Sequence, residues 1–249
     1  LRFFLILTAA FVMFFPVAAI AQNNALAGFT EKEKVGFAFY KLINRDPPYD
    51  DWIRGTAAYQ SAKSNVQLAM IDQERHRLRR GFEAFTPDRD LITIKLPVKV
   101  KGGNNPNFAK DFEMQAAGLS KMIEINFMGN DESPYFPFLL GKQWIGMIPQ
   151  GLEQRSTHYL TPAQFATFCA NKNKACEKFE QNIDANVILR TISADAEKPL
   201  VLRDVPLWLM MSDLGAIIFL RRDGGLIWEY AMPWYEGARA GSLMTLYDK

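Results

Sequence analysis

A chain of 249 residues with 29 Lys and Arg against 27 Asp and Glu has a formal net charge of +2, too little to build the basic field that nucleic-acid binding needs. Apolar residues at 49% and charged residues at 22% give an ordinary globular balance, and no repeat or low-complexity tract interrupts it. Two His and two Cys, without ligand spacing between them, leave no zinc-type constellation and imply no cofactor.

Leu1 to Ala21 reads as a secretory signal. Arg2 is a minimal positive n-region, Phe3 to Val17 form an apolar run broken only by Thr8 and Pro16, and Ala19-Ile20-Ala21 is a small-x-small cleavage pattern before Gln22. The alternative is an uncleaved anchor, because a stretch of this length nearly spans a bilayer. Pro16 and the small residues favour cleavage between Ala21 and Gln22, which puts the mature chain in the periplasm or outside the cell. Removing Arg2 takes the formal charge from +2 to +1. No second apolar stretch reaches membrane length, so no stable span is expected after cleavage. Residues 22–29 are expected as a flexible lead, 30–235 as one α+β domain, and 236–249 as a loose tail.

A capping box opens the first helix: Thr30 caps and Glu33 reaches back, with Val35, Phe37, Ala38, Phe39 and Leu42 following to about Ile43. Asp46-Pro47-Pro48 stops it. A second helix is expected from Asp50 or Asp51 to about Ala84, making a helical hairpin with the first. Strand patterns follow at Leu91–Leu96, Phe112–Ala116, Met122–Phe127 and Gln143–Ile148, with Gly102-Gly103 in a loop. Thr161, Pro162 and Gln164 form a second capping box and start an inserted helix, and another helical turn is expected from Lys178. Further strands are expected at Asn186–Ile192, Leu200–Leu202 and Leu207–Met211. The clearest hairpin joins Ala216–Leu220 to Leu226–Tyr230 through Asp223-Gly224. The expected fold is therefore α+β: an N-terminal helical hairpin packed on a mostly antiparallel sheet with one inserted helix.

In an exported chain, Cys169 and Cys176 are read as a disulfide. On one helix they would lie about 10 Å apart, beyond the roughly 7 Å between Cα atoms that a disulfide allows. The bond therefore requires a turn within Asn171 to Lys174. Closing so short a loop stabilises by roughly 2–3 kcal/mol in the chain-entropy model.

Several segments together resemble a family of exported proteobacterial proteins defined only as a domain of unknown function. They are Phe39-Tyr40-Lys41-Leu42 with Pro48, Trp52 and Tyr59; Tyr135-Phe136-Pro137-Phe138; and Leu226–Tyr230 ending in Pro233-Trp234-Tyr235. The resemblance covers most of the mature chain and implies no activity, cofactor or catalytic residue.

Candidate chemistry is sparse. Gly-x-Ser-x-Gly, His-Glu-x-x-His and phosphate-cradling Gly-rich patterns are absent. His76 sits among arginines, and His158 is a general base only if partners converge on it. The acid pairs Asp88/Asp90 and Asp131/Glu132 read as solvated loop charges. Arg75, Arg79 and Arg80 are a candidate anion-binding face, against the plainer reading of a solvated helix on which Asp72 pairs with Arg75. Trp228, Tyr230, Trp234 and Tyr235 are the candidate binding residues, against the plainer reading of core packing; Tyr135–Phe138 invites the same two readings. The expectation is an exported, non-enzymatic module that binds a protein or small molecule in the cell envelope. The rival is an envelope hydrolase using His158 or loop carboxylates.

Overall fold

The computed structural model describes residues 24–127, 135–169, 177–202, 204–221 and 223–237. Its helices are α1 (Glu31–Leu42), α2 (Tyr49–Arg54), α3 (Ala57–Ser61), α4 (Ser64–Ala84), α5 (Phe112–Ala116) and α6 (Pro162–Ala166). Its strands are β1 (Ile92–Asn104), β2 (Lys121–Asn126), β3 (Phe136–Leu140), β4 (Gln143–Gln150), β5 (Thr157–Leu160), β6 (Phe179–Ala194), β7 (Leu200–Leu202), β8 (Val205–Leu220) and β9 (Leu226–Ala231). This is an α+β chain. The strands form one sheet in the order β3-β4-β8-β6-β1-β2-β5, with β7 and β9 also paired to β8. Only the β4–β8 ladder is parallel among the described pairings.

Both capping boxes form. Thr30 accepts from the Glu33 amide while the Glu33 carboxylate accepts from the Thr30 amide, and Thr161 and Gln164 do the same at α6. These reciprocal bonds fix where each helix starts, because they satisfy amides the helix cannot. Val35 to Phe39 are buried without a break, since α1 lies between the sheet and α4. A helix buried this far round is covered on both sides rather than amphipathic.

Several expectations are corrected. The expected second helix is three, so the simple hairpin gives way to four helices. Thr56 ends α2 by donating its hydroxyl to the Ile53 carbonyl and starts α3 by accepting from the Tyr59 amide. The second break is held by the Gln67 side chain, whose amide donates to the carbonyls of Tyr59 and Ala62. Phe112–Ala116 is a helix, not a strand, because Asp111 caps it by accepting from the Met114 amide. Gly102-Gly103 belongs to β1 rather than to a loop; a Cβ on Gly102 would lie 2.3 Å from the Phe179 ring. No helical turn starts at Lys178, for β6 begins at Phe179 and pairs with β1 from there on. The strands expected at 207–211 and 216–220 are one strand, β8, with a bulge at Gly215. The end of the expected flexible lead is packed down: Leu26 is buried and Phe29 stacks edge-on to Phe37. Ala238 to Lys249 lie outside the described residues.

One contiguous core runs under the whole sheet. At the β3–β4 end α1 covers the inner face, as Phe39 against Trp208 and Tyr40 bonded to Gln143 show. At the other end the sheet curls, and β5 and β9 approach each other through side chains. There Phe168, Phe219, Trp228, Tyr230 and His158 form one aromatic cluster.

Candidate interaction face

Pairing register assigns each strand residue to a face, because side chains alternate and directly paired residues share a side. Ile145, Met147 and Met210 are fully buried and therefore mark the inner face. Their neighbours Trp144, Ile148, Leu207, Leu209 and Met211 point the other way. In the ladder Trp144 pairs with Leu207, Gly146 with Leu209 and Ile148 with Met211. Leu139 extends the row across β3, and Leu200 and Leu202 extend it across β7.

These outward residues are all apolar, yet only Leu207 of them is buried. Leu139 is 37% exposed, Leu200 43%, Leu202 38% and the neighbouring Val205 41%. The leucine methyls of Leu207 and Leu209 lie over the bare backbone of Gly146 and fill the space that a Cβ would take there. The rim is polar. Arg190 and Asp213 pair at 2.8 Å along one border, and Gln150 lies beside Asp213.

Beyond Arg190 the outer face is closed by the chain itself. Met232 donates its amide to the Gly215 carbonyl at 2.7 Å, and the Trp234 indole donates to the Leu214 carbonyl at 3.0 Å. Gly215 keeps this approach close, since a Cβ would lie 3.0 Å from the Trp234 ring and 3.2 Å from the Ile188 carbonyl. Tyr235 is buried with Ile188 and Ala216, and Arg190 sits 4.3 Å over the Trp234 ring. The expected binding residues are thus divided. Trp234 and Tyr235 pack on the outer face, while Trp228 and Tyr230 are half-buried on the inner one.

His158 joins the second pair, with its ring centroid 5.0 Å from Trp228 and 4.9 Å from Tyr230. A ring N–H donates to the Arg155 backbone, while Nε2 is buried with no hydrogen-bond partner among the described residues. Burial pushes its pKa down to about 4, more than the Arg155 bond raises it. Among the described residues, no hydrogen-bond partner meets the Nε2 of this enclosed imidazole.

No family model, curated protein or solved structure matches this chain. The reading of the site therefore rests on geometry alone.

The remaining sequence candidates are placed as follows. Arg75 is held by both oxygens of Asp50 at 2.8 Å and by Asp72 at 3.1 Å, the last as the helix spacing predicts. That pairing holds the Asp50 carboxyl below the usual range. Arg79, Arg80 and His76 are exposed on α4. Asp90 is a loop cap, accepting from the Thr86 amide at 2.6 Å, and Asp88 is exposed. Asp131, Glu132 and Cys176 lie outside the described residues, and Cys169 is buried beside Phe165 at the end of α6. No group of three or more metal-ligating side chains occurs among the described residues.

A cavity of about 600 Å³ brings Leu209 and Met211 beside Leu42, Ile43, Asp195 and Glu197, and two more lie away from it. One of about 510 Å³ lies between the ends of β2 and β4, with Ile125, Phe127 and Leu152 in its walls and amide or hydroxyl groups from Gln150, Gln154 and Ser156. It carries no acid, base or thiol among its lining residues. The other, about 440 Å³, lies among α1, α2 and α4; its Glu33 and Glu74 carboxylates are both paired with Arg77. Sequence reasoning missed Leu139, Trp144, Leu209 and Met211. The signal was there: β4 and the first half of β8 are near-continuous apolar runs rather than alternating ones, the pattern of strands covered on both sides.

Proposed function

We propose that this chain is an exported, non-enzymatic interaction module, and that it works through the outer face of β3, β4, β8 and β7. One observation carries the reading. Ile145, Met147 and Met210 are fully buried on the inner side, while Trp144, Ile148, Leu209 and Met211 put apolar surface on the outer side of the same strands. Burying a large apolar side chain is favourable by roughly 1.5–3 kcal/mol relative to leaving it exposed. A face with several such residues partly open to solvent therefore holds binding energy that folding leaves unused. The surface differs from the C-terminal aromatic cluster expected from sequence.

Export rests on the Leu1–Ala21 pattern, with cleavage before Gln22 and a Cys169–Cys176 bond formed in an oxidising compartment. No helix among the described residues is long and apolar enough to cross a membrane.

The test is photo-crosslinking in the producing cells. A benzophenone side chain is placed at Leu209 on the apolar face, and at Lys99 on the charged part of the same sheet. Discrete adducts from position 209 with none from 99 are expected. Equal labelling from both, or none from either, would remove the interaction reading.

A further inference from the structure

We infer that residues 238–249 of this same chain lie over the outer face of β3, β4, β8 and β7, and cover it until an envelope partner displaces them. The inference rests on the interaction reading above and names what that partner competes with.

Three observations select this segment. First, the last described residues stand on the right side of the sheet and within reach. Trp234 packs on the outer face, donating to the Leu214 carbonyl at 3.0 Å with Arg190 4.3 Å over its ring. From Leu214, Met211 lies roughly 10 Å and Leu209 roughly 17 Å along β8, at about 3.3 Å per residue. The extended chain from Gly237 to Leu246 spans about 30 Å, so it reaches both with slack. The residues ahead of Asn24 lead in from the helical side, where Phe29 packs on Phe37 of α1 and under Arg77 of α4. Second, the segment is apolar where the face is. Leu243-Met244-Thr245-Leu246-Tyr247 holds four apolar side chains, whereas 128–134 and 170–176 are mostly small, polar or charged. Third, the charges match. The shallow cavity beside Leu209 and Met211 has Asp195 and Glu197 as its charged lining residues. The segment carries Arg239 and Lys249 against Asp248. A tethered segment is present at about millimolar effective concentration, so a face of modest extent suffices to hold it.

The test places a benzophenone side chain at Leu209, or at Lys99 as the control, in the purified full chain, and irradiates it in dilute solution. Trypsin cuts after Arg239 and releases 240–249 as one peptide. Position 209 is expected to join to that peptide and position 99 is not. Leu243→Glu with Leu246→Glu is expected to lower the yield about tenfold with an unchanged melting midpoint. If the midpoint falls, Leu246→Glu alone takes the place of the pair. No adduct with 240–249 overturns the inference, as does a yield that these substitutions leave intact. The two readings fail separately. Crosslinks from position 209 to another protein in the producing cells, with no 240–249 adduct in the purified chain, remove the cover and keep the interaction face. A 240–249 adduct with no protein captured in cells, even by the substituted chain, keeps the cover and removes the partner. No adduct of either kind removes both.

Discussion

The two ends of the sheet bury their apolar side chains in opposite ways. At the β1–β2–β5 end the sheet curls over, its inner aromatics cover one another, and its outer side is charged. Lys95, Lys99 and Lys101 on β1 face outward beside Glu180, Asn182 and Asp184 on β6. At the β3–β4 end α1 covers the inner face and the outer face stays apolar and open. A sheet that covers itself needs one apolar face. A sheet with a helix on one side and leucines on the other is patterned for a layer on both. The difference is why we propose the interaction face at the end whose patterning folding leaves unfulfilled.

The comparison can be broken first with two tryptophans. Trp228→Ala removes a ring that touches Phe219, Phe168, His158 and Tyr230 inside the curled end, and is expected to destabilise by about 3–4 kcal/mol. Trp144→Ala removes the same residue type from the outer face, and is expected to lose no more than about 1 kcal/mol in the monomer. Urea unfolding at sub-micromolar protein reads both. Similar losses would mean that the outer face is as much a part of the folded core as the inner one.

Acid sharpens the contrast next. His158 has a folded pKa of about 4 against an ordinary 6.5, so the unfolded chain takes up the proton first as pH falls. Stability is therefore undiminished above about 6.5, declines as pH drops through that value, and is lower by about 3 kcal/mol near pH 4. The loss belongs to the curled end, because only there does protonation place a charge among Trp228 and Tyr230 beside the Arg155 guanidinium. His158→Phe should flatten the decline between pH 6.5 and 4. An equal decline in that variant would assign it to carboxylates such as Asp50, whose ion pair with Arg75 is also lost in acid.

Which parts of this were legible in the sequence follows from how local their causes are. The capping boxes at Thr30 and Thr161 were legible because a cap is complete within four residues. The breaks in the expected second helix were not. One depends on Thr56 serving two helices, the other on Gln67 reaching back to Tyr59, and neither leaves a Pro or a periodicity change. The meeting of His158 with Trp228 is a product of curling, which brings residues 70 positions apart into one cluster. The apolar outer face lies between these cases. Its continuous runs at Gln143–Ile148 and Leu207–Met211 were visible as strands, but only the register shows which residues α1 covers and which remain open.

The smallest expected effect is on the charged side of the curled end. Lys99 lies 2.5 Å from Glu180 and Lys101 lies 3.9 Å from the same carboxylate, with all three side chains about half in water. Long side chains held in a solvated pair lose rotamer freedom and are screened by salt, so such bridges add little. Lys99→Ala is expected to leave the thermal midpoint unchanged, and added salt to leave the wild type unchanged. The inner neighbours Val98 and Val100 are buried on the same strand, and they hold β1 in register whatever happens outside. A clear drop in midpoint, or strong salt sensitivity, would mean that the charged ladder helps to hold the curl. The contrast between the two ends would then lie in what each outer face contributes to folding, and the open apolar face would lose its standing as the exceptional one.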